Sequence, residues 1–273
     1  MNVDARPAFQ QALDEVRADV LRLAALAVEA IPRATDLLLR MDLAAAQQLI
    51  EDDDIADALA IAIESRCDDL LTLQQPVATD LREIITALRL TAELERTIDL
   101  MVNVAKGTRR IYGSPLTPAL SGLIEKMSEE AGRLLRLSID SYAERNASLA
   151  AALGDMDDRL DELSKDFIHA VFAAHHAEPG LGLQPCVQLA LIGRYFERAG
   201  DHAVNVAERV QFMVTGWRPE QLGAARIVVR RARALELASE RTGDEDPGPD
   251  AVVRSLPGRM DGAAEPPTEG RTP

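Results

Sequence analysis

Residues 197–208 read ERAGDHAVNVAE, and this stretch has a partial copy earlier in the chain. Residues 95–106 read ERTIDLMVNVAK, and the two stretches share E, R, D, V, N, V and A in register, seven of twelve positions. They lie 102 residues apart. Self-similarity at a fixed separation is the signature of a repeated structural unit. We therefore expect the chain to consist of two similar halves.

Apolar residues recur at spacings of three and four through both halves, which predicts α-helices. Turn signals at LQQP (residues 73–76), YGSP (112–115) and EPGLGLQP (178–185) divide this pattern. The result is six long helices, with Asp42 able to cap the second and Asn146 opening the fifth. Pro32 and Gly154 are unfavourable inside a helix, and each predicts a kink or a frayed turn.

The predicted fold is therefore all-α, with two antiparallel three-helix bundles. The expected boundaries are residues 1–113 for the first bundle, 114–219 for the second, and 220–273 for one further helix and a tail. The tail from residue 242 is rich in Pro, Gly and charge, a composition that predicts disorder.

The composition excludes several classes of protein. The net charge is −15, which opposes binding to nucleic acid and to anionic lipid. The two cysteines are far apart and have no ligand-spaced partner, so neither a disulfide framework nor a zinc finger is expected. The first residues carry acids where a signal peptide needs an apolar core, and no apolar run is long enough to span a membrane. We expect a cytoplasmic protein.

Pairs of acids also recur in the two halves. An Asp-x-x-x-Asp pair precedes a Glu-x-x-x-Asp pair by 42 residues in the first half and by 40 in the second. At about 100° per residue, each pair forms a row beside the apolar stripe of its helix. Antiparallel packing would bring two pairs together at a seam in each half. The candidate residues are Asp53, Asp57, Glu95 and Asp99 in the first half, and Asp157, Asp161, Glu197 and Asp201 in the second.

Four neighbouring carboxylates repel one another unless a positive charge lies between them. Carboxylate oxygens suit hard cations, so Fe, Mn or Mg ions, and also Zn, are candidate ligands. The alternative is a solvated acidic face that is partly neutralised by Arg96, Arg198 or Arg209. The recurrence of the pairs in two matched sets favours the metal.

The same stretches carry a resemblance to a known family. ERAGDHAVNVAERV (residues 197–210) resembles the signature of the PhoU family, and LLTLQQPVATDLREI (70–84) resembles the pattern of its first half. The resemblance extends over roughly residues 7–216. It implies two related three-helix bundles, with multinuclear metal sites at the eight acidic residues named above. Ile98 replaces the family-like Gly200, and Lys106 replaces Glu208, so the second half is expected to be the better metal site.

The resemblance also implies a function. Members of the PhoU family are accessory and regulatory proteins of phosphate transport. By this resemblance the chain is a negative regulator of phosphate uptake and of the phosphate-starvation response. It would act as an adaptor between a phosphate ABC transporter, through the ATPase subunit, and a membrane sensor histidine kinase. The resemblance favours a homodimer that reaches the membrane only through protein partners, and the role requires no enzymatic activity.

Two alternatives remain open at this point. One is a carboxylate-bridged di-metal enzyme on a helical bundle, which combines Glu ligands with Glu-x-x-His motifs. No histidine here follows a Glu by three residues, and His202 is expected to be a surface or packing residue. The other is a helical adaptor whose acids are solvated and bind no metal. The four histidines are His169, His175, His176 and His202.

Overall fold

Short polar side chains begin several of the helices. The Asp42 carboxylate accepts hydrogen bonds from the backbone N–H groups of Ala44 and Ala45, at 3.0 and 2.9 Å. The Asn146 side chain accepts from the N–H of Leu149 at 3.0 Å, and Thr117 does the same for the helix that starts at Pro118. Each cap pairs a backbone N–H that the helix itself leaves free.

The structure is a computed structural model that describes residues 5–74, 76–154, 156, 158–177 and 180–216. Those residues form six long helices and one short one, which confirms the all-α prediction. The helices are α1 (Ala5–Arg40), α2 (Leu43–Gln74), α3 (Ala78–Arg110), α4 (Pro118–Ala143), α5 (Ala147–Leu153), α6 (Asp158–His176) and α7 (Leu183–Thr215).

Pro32 and Gly154 have different outcomes. Gly154 follows the last residue of α5, so the fifth predicted helix is divided into α5 and α6 at this point. Pro32 lies inside α1 and does not end it. A proline can remain inside a helix when tertiary packing offsets the lost hydrogen bond, and the neighbouring Ile31 and Ala34 are fully buried.

The helices pack as two bundles, α1–α3 and α4–α7. Among the described helices, α2 contacts only α1 and α3, and α6 contacts only α4 and α7. The most extensive helix–helix contact joins α3 to α7, across the two halves. The pair is antiparallel, because Arg82 near the start of α3 donates to the carbonyl of Met213 near the end of α7, at 3.2 Å. The described residues of both bundles belong to one compact unit.

The core follows the predicted apolar stripes. On α3 the stripe residues Ile98, Met101, Val102 and Ala105 are all buried. On α7, Phe196, Ala203 and Ala207 are buried in the same way. These stripes lie beside the acidic rows, so helix packing within each bundle determines where the carboxylates lie.

Two glycines, Gly193 and Gly107, allow close packing between helices. A Cβ at Gly193 would lie 2.6 Å from Cδ1 of Phe167, a fully buried ring on α6. A Cβ at Gly107 would lie 3.1 Å from Cδ1 of Ile192, at the contact between α3 and α7. Gly200 itself is buried.

The predicted further helix and disordered tail, residues 220–273, lie outside the described residues. Among the helices that the structure describes, none is both long enough and apolar enough to cross a membrane.

We predict that Gly193→Ala lowers the free energy of unfolding by about 1–3 kcal/mol, because the new methyl group overpacks a buried ring that has no room to move. The matched control is Gly122→Ala in α4, where a Cβ meets nothing within 4 Å. That change should be neutral or should stabilise the protein by up to about 1 kcal/mol through helix propensity. Urea unfolding of both variants measures the difference, and equal stability of the two would contradict the packing model.

Candidate functional site

In the first half, α2 and α3 bring the four predicted carboxylates within electrostatic reach of one another. Burial, together with the nearby charges of Asp57 and Asp99, raises the pKa of Asp53 to about 6, although Lys106 opposes them. Burial likewise raises the pKa of Glu95, with Asp99 and Asp57 adding to the effect. The charges of the two acidic pairs therefore repel one another across α2 and α3.

This first-half cluster lacks paired cations. Of the described lysines and arginines, none forms an ion pair with Asp53, Asp57, Glu95 or Asp99. Buried carboxylates elsewhere in the molecule do have such partners. Each is held by an arginine: Asp19 by Arg66, Glu83 by Arg145 and Glu130 by Arg133.

In the second half the acids have a protein partner. Glu197 forms an ion pair with Arg194 and accepts a hydrogen bond from the hydroxyl of Ser164 on α6, at 2.9 Å. The Nη2 atom of Arg194 also lies 3.9 Å from Oδ2 of Asp201. Asp161 lies on α6 one turn before Ser164, whereas Asp157 is outside the described residues.

Arg194 explains why the two halves differ, and sequence reasoning missed it. It precedes Glu197 by three residues on the same helix, a spacing that brings the side chains together. The position 102 residues earlier is Ala92, so the first half has no equivalent cation. In the sequence, Ile98 in place of Gly200 and Lys106 in place of Glu208 predict that the second half is the better metal site. Among the described residues, however, it is the acids of the first half that form no ion pair with a lysine or arginine.

The donor chemistry of the first-half cluster fits a hard cation, because such an ion would offset the burial and the repulsion that together raise the pKa of Asp53. As the side chains stand, however, no three His, Cys, Asp or Glu groups among the described residues are arranged to hold a metal ion. Movement of these partly exposed side chains toward a common point is therefore needed. The metal site stays a prediction.

A second polar group, also missed from the sequence, lies between α3 and α7. The Nδ1 atom of His202 is 2.6 Å from Oε2 of Glu93, and Nδ2 of Asn205 donates to the same oxygen at 3.2 Å. His202 is buried, as a packing residue would be, and it joins the two bundles. The burial of His202 could have been predicted from the sequence, because His202 lies four residues before Val206, an apolar residue on the same face of α7 that is buried.

Burial alone would raise the pKa of Glu93, but the hydrogen bonds from His202 and Asn205 outweigh it. Together with the positive charge of Arg209, they lower the pKa of Glu93 below its ordinary value. The Nε2 atom of His202 and the Nε and Nη1 atoms of Arg209 are buried and make no hydrogen bond within the described part of the protein. We name Glu93, His202, Asn205 and Arg209 the interbundle network.

Comparison with known proteins agrees with the two-bundle architecture. The model of the PhoU domain matches this chain over residues 20–108 and again over residues 124–210. The first segment lies within α1–α3 and the second within α4–α7. The chain belongs to the PhoU family.

Similar relatives and structures extend along most of this PhoU-family chain. It is 37% identical over 217 residues to the phosphate-specific transport system accessory protein PhoU homolog 1 of Mycobacterium tuberculosis, covering 79% of this chain and 97% of the relative. The PhoU homolog of Rhizobium meliloti is 31% identical over 213 residues, 78% of this chain and 90% of that protein. The crystal structure of PhoU from Pseudomonas aeruginosa matches with a TM-score of 0.71 and 26% identity, over 77% of this chain and all of that one.

We predict that Glu93→Gln lowers the free energy of unfolding at pH 7 by about 1–3 kcal/mol, because it removes a charged acceptor from the interbundle network. A carboxylate whose pKa is lower in the folded state than in the unfolded state stabilises the fold at pH values above its unfolded pKa, which is 4.5 for Glu93. This stabilisation is lost as the pH falls through the folded pKa. The difference between variant and wild type should therefore shrink below pH 4.5.

Glu95→Gln, two residues along the same helix, is the matched control. The pKa of Glu95 is raised by burial and by Asp99 and Asp57, so its ionised form is unfavourable in the folded state. Removing that charge should stabilise the protein slightly at pH 7. Urea unfolding of both variants at pH 7 and pH 4 distinguishes the two effects. If the Glu93→Gln variant were as stable as wild type at pH 7, the interbundle network would not contribute to stability.

Proposed function

We propose that this PhoU-family chain is a cytoplasmic accessory protein of phosphate transport that restrains phosphate uptake and the phosphate-starvation response. It acts as an adaptor between a phosphate ABC transporter, through the ATPase subunit, and a sensor histidine kinase. The proposal is supported by the relatives that it matches along nearly their whole length, which are phosphate-specific transport system accessory proteins.

The role that we propose is one of binding and requires no catalysis. Long helices in two joined bundles offer several extended faces to partners. The protein acts as a homodimer in this proposal, which would present each face twice.

We further propose that a divalent or trivalent metal ion binds to the acidic motifs. Asp53, Asp57, Glu95 and Asp99 would hold it in the first half. The second-half residues Asp157, Asp161, Glu197 and Asp201 would need to release Arg194 to do the same. The supporting observation is the raised pKa of Asp53, because a cluster of mutually repelling carboxylates gains most from a cation.

We expect Mn²⁺ to raise the melting temperature of the wild-type protein at pH 7, and the effect should weaken as the pH falls below about 6, where Asp53 takes up a proton. At a free metal concentration of 100 times Kd the gain is about 2.7 kcal/mol. The double variant Asp53→Asn, Asp57→Asn should lose the first-half contribution, whereas the exposed neighbour Asp54→Asn should keep it. Thermal unfolding with metal analysis of the same samples measures both. An unchanged metal content in the double variant would exclude the first-half site.

The regulatory role is tested by deleting the gene and measuring transcription of phosphate-starvation genes at high phosphate. We expect transcription to rise severalfold, and the wild-type gene to restore repression. Expressing the Asp53→Asn, Asp57→Asn variant at the same level in the deletion strain tests separately whether repression requires the acidic cluster. Unchanged transcription in the deletion strain would argue against negative regulation, whatever the metal experiments show.

A further inference from the structure

A lysine lies on the same face of α3 as the acids of the first-half cluster. Glu95 and Asp99 are four residues apart, and Lys106 follows Asp99 by seven residues. At about 100° per residue the three positions fall within about 40° of one another around the helix. Side chains of a helix tilt toward its N-terminus. The stem of Lys106 therefore points back along α3 toward Asp99.

The register of α2 against α3 brings Asp53 to the same place. The two helices are antiparallel neighbours, because Arg109 near the end of α3 donates to the Gln47 side chain near the start of α2, at 3.0 Å. Asp53 lies six residues after Gln47, and the position six residues before Arg109 is 103. Since both helices rise equally per residue, Asp53 lies across from a point between Asp99 and Lys106.

The electrostatics of the cluster agree with this placement. The ammonium charge of Lys106 acts to lower the pKa of Asp53 and partly offsets the rise that burial and the neighbouring acids cause. Arg96 acts in the same direction on Glu95, but it is the next residue along the helix and lies about 100° away from that face. Lys106 is therefore the basic residue that shares the face of the carboxylates.

Lys106 acts on the cluster without being fixed to it. Its side chain is exposed, and within the described part of the chain it forms no ion pair with an acid. The buried carboxylate of Asp19, by contrast, is held by Arg66. A lysine ammonium is a compact, strongly hydrated charge on a flexible four-carbon stem. Such a group can approach the carboxylates or withdraw into water at little cost.

A metal ion at the first-half cluster would need the same carboxylate oxygens and would be repelled by the same ammonium group. We propose that Lys106 is a tethered counter-ion of the first-half cluster. It competes with a metal ion for the carboxylates, and so it determines the metal concentration at which the cluster fills. The inference rests on the metal site of the proposed function. In the second half the corresponding residue is Glu208, so this device belongs to the first half.

The test measures Mn²⁺ binding to the full-length protein at pH 7, with free Mn²⁺ quantified by electron paramagnetic resonance. The first-half site is the binding that the Asp53→Asn, Asp57→Asn variant loses. We expect Lys106→Gln to lower the Kd of that site by about three- to tenfold, because it removes one repelling charge near a divalent ion. Lys106→Glu, which introduces the acid of the second half, should lower the Kd further. Lys106→Arg keeps the charge and should bind as wild type does.

The matched control is Lys126→Gln, which removes the same charge from an exposed position on α4. Among the described helices, α4 makes no contact with α2 or α3, so this variant should bind Mn²⁺ as wild type does. Ionic strength provides a second control. Exposed charges are screened by salt, so the difference between Lys106→Gln and wild type should shrink between about 0.05 M and about 0.5 M salt. A change in packing would not respond in this way.

The outcomes separate this inference from the proposed metal site. If wild type binds Mn²⁺ at the first-half cluster and Lys106→Gln binds with the same Kd, the counter-ion role is overturned while the metal site stands. If neither protein binds Mn²⁺ there, the metal site fails and the inference fails with it. A gain in affinity that persists in the Asp53→Asn, Asp57→Asn background would also overturn the inference, because Lys106 would not then act through the cluster.

Discussion

The antiparallel contact between α3 and α7 is the interaction on which the rest of the molecule depends. It joins two bundles that are linked in sequence by only a short turn, and it buries the apolar stripes of both helices. Close approach is possible because Gly107 leaves room for the Ile192 side chain. The acidic rows border these stripes and meet within each bundle, between α2 and α3 in the first half and between α6 and α7 in the second.

Three buried carboxylates in this protein pair with an arginine, whereas two partly buried ones do not. Asp19, Glu83 and Glu130 each have such a partner, which offsets the cost of removing a charge from water. Asp53 and Glu95 have none, and their raised pKa values express that cost. Unpaired, partly buried acids lower stability, so their presence calls for an explanation outside folding. A cation is the explanation that we propose.

Much of the fold was predictable because it depends on periodicity and on chain breakers, which are local signals. The repeat, the six long helices and the caps at Asp42 and Asn146 are all present in the structure. The fifth helix is divided at Gly154, where the sequence predicts a kink or a frayed turn. The charge partners were not predictable in the same way. Glu93 and His202 are 109 residues apart, and no local pattern indicates which acid a buried histidine meets across a helix pair.

The interbundle network also shows that the two halves are no longer equivalent. Positions 102 residues from Glu93 and His202 are Tyr195 and Leu100, and Arg209 corresponds to Gly107. If the gene arose by tandem duplication, the copies have since specialised as complementary partners. A protein built from two first halves would place leucine opposite a glutamate, and one built from two second halves would place an arginine where Gly107 now admits Ile192. Neither half is expected to substitute for the other, so single-repeat fragments should assemble in mixed pairs in preference to identical ones.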